Sequence, residues 1–125
     1  MPTYEPMRLA EGEYRFATLV WDHEPLPSGQ LATLADGTLG WKKSTAYTVL
    51  KKLCERGVLQ NADGCVTSLI KKEDVQQAES AAVVDKTFGG SLPQFVAAFL
   101  NAKPISDAEA AEIRALLDAA CQKEE

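Results

Sequence analysis

The chain is short of the residues that most often build active sites and cross-links. A single histidine, His23, occurs in 125 residues, in the loop-like stretch Asp22-His23-Glu24-Pro25-Leu26-Pro27. An imidazole there is ordinarily a solvated side chain. Three cysteines, Cys54, Cys65 and Cys121, are an odd number, lie far apart and form no Cys-x-x-Cys or Cys-x-Cys pair. Neither a disulfide framework nor a zinc ribbon follows, so no metal and no cofactor is expected, and a reducing cytoplasm is the expected compartment. There is no glycine-rich phosphate loop and no grouping of nucleophile, base and orienting residue, so the chain does not read as an enzyme. No apolar run approaches the ~18 residues of a membrane span, and direct membrane insertion is not expected. The first fourteen residues hold acids and no apolar stretch, so no secretory leader is expected either.

What is present is 46% hydrophobic and 25% charged residues in 13.5 kDa. That is a globular composition, enough for one domain or for a small domain with an oligomerisation segment. The net charge is −5, which excludes a polycation that coats nucleic acid. The charge is unevenly spread. Residues 41–56, WKKSTAYTVLKKLCER, hold five basic groups against Glu55 alone, net +4, inside an acidic protein.

Periodicity divides the chain into elements. Residues 9–21 read as a helix, with Tyr14, Ala17, Val20 and Trp21 at helical spacing and Phe16 beside them. Ala10 and Glu13 occupy the places of a capping box whose hydroxyl is missing. Pro25 and Pro27 mark a connection, and Ser28 reads as the N-cap of a short helix SGQLATLAD ended by Gly37. The basic segment is the third helix. Ala46, Val49, Leu50 and Leu53 form one apolar stripe; Ser44, Thr48, Lys51 and Glu55 lie opposite, flanked by Thr45, Tyr47 and Lys52. Lys42 and Lys43 stand at its N-terminus, where cations oppose the macrodipole by ~0.3–1 kcal/mol each. An external phosphate would account for them, and hydroxyls with a phenol among lysines suit base edges and phosphates.

Beyond Gly57, residues 58–60 and 65–70 are short β-like runs around Asn61-Ala62-Asp63-Gly64, a turn signal. Three helices and a hairpin are the order of a winged helix-turn-helix. Residues 71–88 then read as a helix with Val75, Ala78 and Ala82 inward, stopped by Gly89-Gly90. A second helix, capped by Ser91 with Pro93 in its first turn, sets Leu92, Phe95, Val96, Phe99 and Leu100 on one face. A capping box, Ser106 to Glu109, opens a third with Ile113, Leu116 and Leu117. Three such helices are marginal as a core alone, so a partner subunit is expected to cover them. The expected fold is mostly α with a small β-hairpin wing: a winged-helix DNA-binding domain over residues 1–70 and a helical dimerisation region over residues 71–125.

Three motifs together resemble the penicillinase-repressor (BlaI/MecI/CopY) family of bacterial transcription regulators. Glu13-Tyr14-Arg15-Phe16-Ala17-Thr18-Leu19-Val20-Trp21 is similar to its first helix. Gly40-Trp41-Lys42-Lys43-Ser44-Thr45-Ala46-Tyr47-Thr48-Val49-Leu50, followed by Leu53 and Arg56-Gly57, is similar to its recognition helix. Phe88-Gly89-Gly90-Ser91-Leu92 with Phe95 to Leu100 is similar to its dimerisation helix. The resemblance runs from about Leu9 to Leu117. It implies a homodimer that binds an inverted repeat in double-stranded DNA and represses transcription. DNA contacts would then fall on Lys43, Ser44, Thr45, Tyr47 and Thr48, with Lys51 and Lys52 toward phosphates and Trp41 either a phosphate contact or core packing.

The resemblance alone implies a membrane sensor peptidase as a partner, cutting an Asn-Phe bond in the dimerisation region. This chain has Phe99-Leu100-Asn101-Ala102 instead, and only Cys121 where copper-responsive members hold a cysteine pair. The hairpin is shorter than the family's and lacks its arginine. The alternative reading is a winged-helix protein-interaction module without direct DNA binding, in which the lysines are a solvated face.

Overall fold

A computed structural model describes residues 7–122. Among them are six helices and one small antiparallel sheet: α1 (Glu11–His23), β1 (Leu26–Pro27), α2 (Ser28–Leu39), α3 (Lys43–Glu55), β2 (Leu59–Ala62), β3 (Cys65–Ser68), α4 (Lys72–Thr87), α5 (Leu92–Ala102) and α6 (Asp107–Gln122). The winged-helix order expected from the sequence is present and is followed by a helical region. The chain divides into two compact units, the first ending at Val83 and the second beginning at Val84.

The first unit closes on one core. Phe16, Leu19 and Val20 of α1, Leu31, Ala32 and Ala35 of α2, and Ala46, Leu50 and Leu53 of α3 meet Leu26, Val58, Leu59 and Val66. The apolar stripe read on the third helix is therefore its buried face. On α1 the buried residues are Phe16, Ala17, Leu19 and Val20, whereas Tyr14 and Trp21 are half-buried. The two rings meet edge to face, with centroids 5.5 Å apart. The Trp21 indole N–H donates to the Ile70 carbonyl at 3.0 Å, and Gln76 on α4 donates to the Tyr14 hydroxyl at 3.4 Å. The helix thus buries a wider arc than one stripe, and Phe16 is at the centre of it rather than at its edge.

Four local expectations need correction. α2 runs through Gly37 and ends at Gly40, which takes the left-handed conformation at φ 72°. Pro27 rather than Ser28 is its N-cap, and Ser28 is its first residue. Leu39 packs on the core, and holding it there extends the helix two residues past Gly37. His23 is the last residue of α1, not a loop residue, with Nδ1 2.9 Å from the Leu19 carbonyl. Leu26 and Pro27, read as a connection, pair with Val66 and Cys65, so β3 is the central strand of three.

The hairpin is tight. Ala62 pairs with Cys65, leaving Asp63 and Gly64 as a two-residue turn with φ of 54° and 84°. Positive φ at both positions is the type I′ geometry whose twist matches the strands. The hairpin is tied back at both ends. Ser28 N–H donates to the Gly64 carbonyl at 2.8 Å. At the far end the Glu24 carboxylate accepts from the Ser68 amide and hydroxyl, while Lys71 Nζ donates to the Ser68 carbonyl at 2.9 Å.

α4 begins in the first unit. Val75, Ala78 and Ala82 are only 2%, 4% and 5% exposed there. In the second unit, Ser91 Oγ accepts the Gln94 amide at the start of α5, and Ser106 Oγ accepts the Glu109 amide at the start of α6. Both are the caps read from the sequence. Phe88, Phe95 and Phe99 form a run of ring contacts at 5.5 and 6.5 Å. No residue of α5 is buried.

Candidate nucleic-acid interface

α3 presents its polar face outward. Burial of Ala46, Leu50 and Leu53 fixes the helix rotation, and Lys42, Lys43, Ser44, Thr45, Tyr47, Thr48, Lys51 and Lys52 are all exposed. The N-cap is Lys42, which accepts no capping bond, and the first turn holds no acid. The amide groups at this end are therefore left to solvent or to an anion, with two lysines beside them. Thr48 Oγ donates to the Ser44 carbonyl at 2.9 Å, which leaves its lone pairs outward. Tyr47 is 44% exposed, large for a tyrosine on a packed helix. It leans toward the start of α2, where a Cβ on Gly29 would lie 3.9 Å from its hydroxyl.

Trp41 is a different kind of residue. It is half-buried, packs against the core and stacks on Phe16 with ring centroids 5.5 Å apart and planes 10° from parallel. Of the two roles left open for it, the geometry favours packing. Its ring braces the loop from which α3 starts.

A cluster that periodicity could not reveal sits at the other end of α3. Glu13 Oε1 accepts from the Ala10 amide at 2.9 Å and from Arg56 Nη1 at 2.9 Å, and its Oε2 lies 3.3 Å from Lys52 Nζ. Arg56 also donates to the Arg8 carbonyl, and Arg8 Nε pairs with Glu79 on α4 at 2.9 Å. The half capping box at Ala10 and Glu13 was visible as a pattern; the two cations it recruits lie about 40 residues away and were not. Burial pushes the Glu13 carboxyl up, but the Ala10 amide, Arg56 and Lys52 together outweigh this and hold it below its ordinary range. A carboxyl with a depressed folded pKa contributes stability above its unfolded pKa, and that contribution is lost as pH falls through the folded value. Urea unfolding at stepped acid pH should therefore show a decline in stability that is shallower in Glu13→Gln.

The hairpin brings no cation. Residues 59–68 include neither lysine nor arginine, and Asp63 stands at the tip. Cys54 is half-buried against the core, and burial pushes its thiol up, which makes it an inert packing group. Among the described residues no group of three or more histidine, cysteine, aspartate or glutamate side chains could hold a metal ion. Among them, too, no helix is long and apolar enough to cross a membrane.

The family model described as penicillinase repressor matches residues 9–119, nearly the whole chain. The chain belongs to the penicillinase-repressor family. It is similar to the penicillinase repressor of Bacillus licheniformis, 23% identical over 115 residues that cover 89% of this chain and 90% of that protein. Membership carries the general role of a transcriptional repressor. In this member of the penicillinase-repressor family, the residues read as dimer contacts fall into two groups. Val75, Ala78 and Ala82 are already buried in the single chain. Leu92, Val96, Phe99, Leu100, Ile113, Leu116 and Leu117 are exposed, and Phe95 is half-buried.

Proposed function

We propose that this repressor acts as a homodimer that binds an inverted repeat in double-stranded DNA. The winged-helix part inserts α3 in the major groove, and α5 and α6 pair with their copies. The observation that carries the reading is the outward face of α3. It collects Lys42, Lys43, Ser44, Thr45, Tyr47, Thr48 and Lys51 on a helix whose other face is locked in the core. The lysines meet phosphates and fix register; Ser44, Thr45, Tyr47 and Thr48 meet base edges and read sequence. With an acidic tip and no cation, the hairpin adds little backbone affinity, so the phosphate contacts rest on α3.

Two-fold symmetry of the dimer matches that of the operator, with half-sites one or more helical turns apart, ~34 Å per turn. Asn101 is followed by Ala102, so the Asn-Phe bond cut in β-lactam-responsive relatives has no counterpart. Release of this repressor therefore proceeds without cleavage at that bond, either through cleavage at another sequence or, the reading we favour, without proteolysis, in which case intact protein persists on immunoblots during induction of its targets.

Binding tests follow from the two classes of contact. Sites are first selected from random duplexes with the full chain. Lys51→Ala should then weaken binding on every sequence and flatten the salt dependence by ~0.9 per subunit. Tyr47→Phe and Ser44→Ala should cost about 1–3 kcal/mol on the selected site and little on random DNA. Unchanged salt slopes with no selected sequence would instead fit the protein-interaction module.

A further inference from the structure

Lys52 differs from the other lysines of α3. Its ammonium already has a counter-ion, Glu13, at 3.3 Å, whereas Lys42, Lys43 and Lys51 make no ion pair with any described residue. The Glu13 carboxylate is 12% exposed and is gripped at Oε1 by the Ala10 amide and Arg56, both at 2.9 Å. Arg56 is itself held, since it donates to the Arg8 carbonyl and its side chain is 29% exposed. Lys52 is the outlier among the partners. Its side chain is 62% exposed, and its contact is the longest of the three. If one partner of Glu13 exchanges, it is Lys52, because the carboxylate keeps two bonds when the ammonium leaves.

We infer that Glu13 competes with DNA phosphates for the Lys52 ammonium and so lowers the sequence-independent affinity of α3 for duplex DNA. The inference rests on α3 being the DNA-facing helix. A phosphate that takes Lys52 must first displace a fixed carboxylate, which then remains as a nearby negative charge. Every complex meets this opposition, so contacts to base edges carry a larger share of binding. A lysine without a counter-ion would add a full phosphate contact on any sequence.

Salt titrations of the full chain on a random-sequence duplex, read by fluorescence anisotropy, test this with Glu13→Gln, Lys52→Met and the double variant. Gln keeps the shape of Glu13 and an oxygen for the Ala10 amide but has no charge to hold Lys52. Glu13→Gln should bind several-fold more tightly at 0.1 M salt, with a slope steeper by up to ~0.9 per subunit. The gain should shrink in the Lys52→Met background. An equal gain in both backgrounds would overturn the inference, since Glu13 would then act only through net charge; so would no gain, or weaker binding. If Glu13→Gln does not fold, the wild-type protein still decides. The Glu13 carboxyl carbon resonance should move when duplex is added and stay still in Lys52→Met; no movement in wild type overturns the exchange. Failure of the underlying reading is distinguishable, because Lys51→Ala would then leave the salt slope unchanged.

Discussion

Phe99→Asp and Leu116→Asp should each leave the chain monomeric and cut its affinity for a two-half-site operator by about 10²–10⁴-fold. The motive is exposed apolar surface in the second unit. Phe99 is 48% exposed and Leu116 70%, with Leu92, Val96, Leu100, Ile113 and Leu117 around them in sequence on α5 and α6. α5 buries none of its residues in the single chain. Large apolar side chains exposed in this number on two neighbouring helices in sequence point to an interaction surface. A carboxylate placed in it must be desolvated on association, with no partner to receive it. The operator effect follows from linkage: in the proposed dimer two joined α3 helices would bind the second half-site intramolecularly, and that advantage is worth about 10²–10⁴-fold when it exists. Leu116 is the cleaner site, because so exposed a side chain adds little to the fold of one chain. Sedimentation equilibrium with gel shifts on the same samples checks both halves. A wild-type chain that is monomeric at micromolar concentration would refute the dimer, whatever the variants do.

How much of this could be read from residues alone depended on the range of the interaction. The rotation of α3 was legible because a period near 3.6 carried Ala46, Val49, Leu50 and Leu53 to one side, and burial agrees with that. The caps at Ser91 and Ser106 were legible because the hydroxyl acts on an amide three residues away. The end of α2 was misread because Gly37 is a weak helix residue, costing about 1 kcal/mol relative to alanine. Leu39, two positions further on, has core contacts that hold the last turn. β1 was illegible for a stronger reason. Leu26 and Pro27 are too few to show a period, and they form a strand only because β3 offers them an edge about 40 residues later. The Glu13 cluster has the same character: each charge looks solvated by itself, and only the packing of α1 across the end of α3 brings them together. Val75, Ala78 and Ala82 did show the right period. What periodicity cannot say is whether the covering surface belongs to the same chain or to a partner.

Phe16→Ala should lower unfolding stability by about 3–5 kcal/mol, a large part of the ~5–15 kcal/mol that small domains have. Phe16 is fully buried at the centre of the core, and its removal opens a cavity that helices already fixed by Leu31, Leu53 and Val20 can fill only in part. It also removes the face on which Trp41 stacks. Trp41 is followed by Lys42, the N-cap of α3, so a loosened indole lets the start of α3 move, and Lys42 and Lys43 with it. DNA affinity should therefore fall in Phe16→Ala even at temperatures where the protein remains folded. Trp41→Phe separates bracing from direct contact. It retains an aromatic face for Phe16 but lacks the indole N–H. If Trp41 acts only as a brace, Trp41→Phe keeps both urea stability and operator affinity close to wild type. Lost affinity at unchanged stability would make the indole a phosphate contact as well. A loss below about 1 kcal/mol in Phe16→Ala would mean that the core does not converge on this ring, and the bracing of α3 through Trp41 would fall with it.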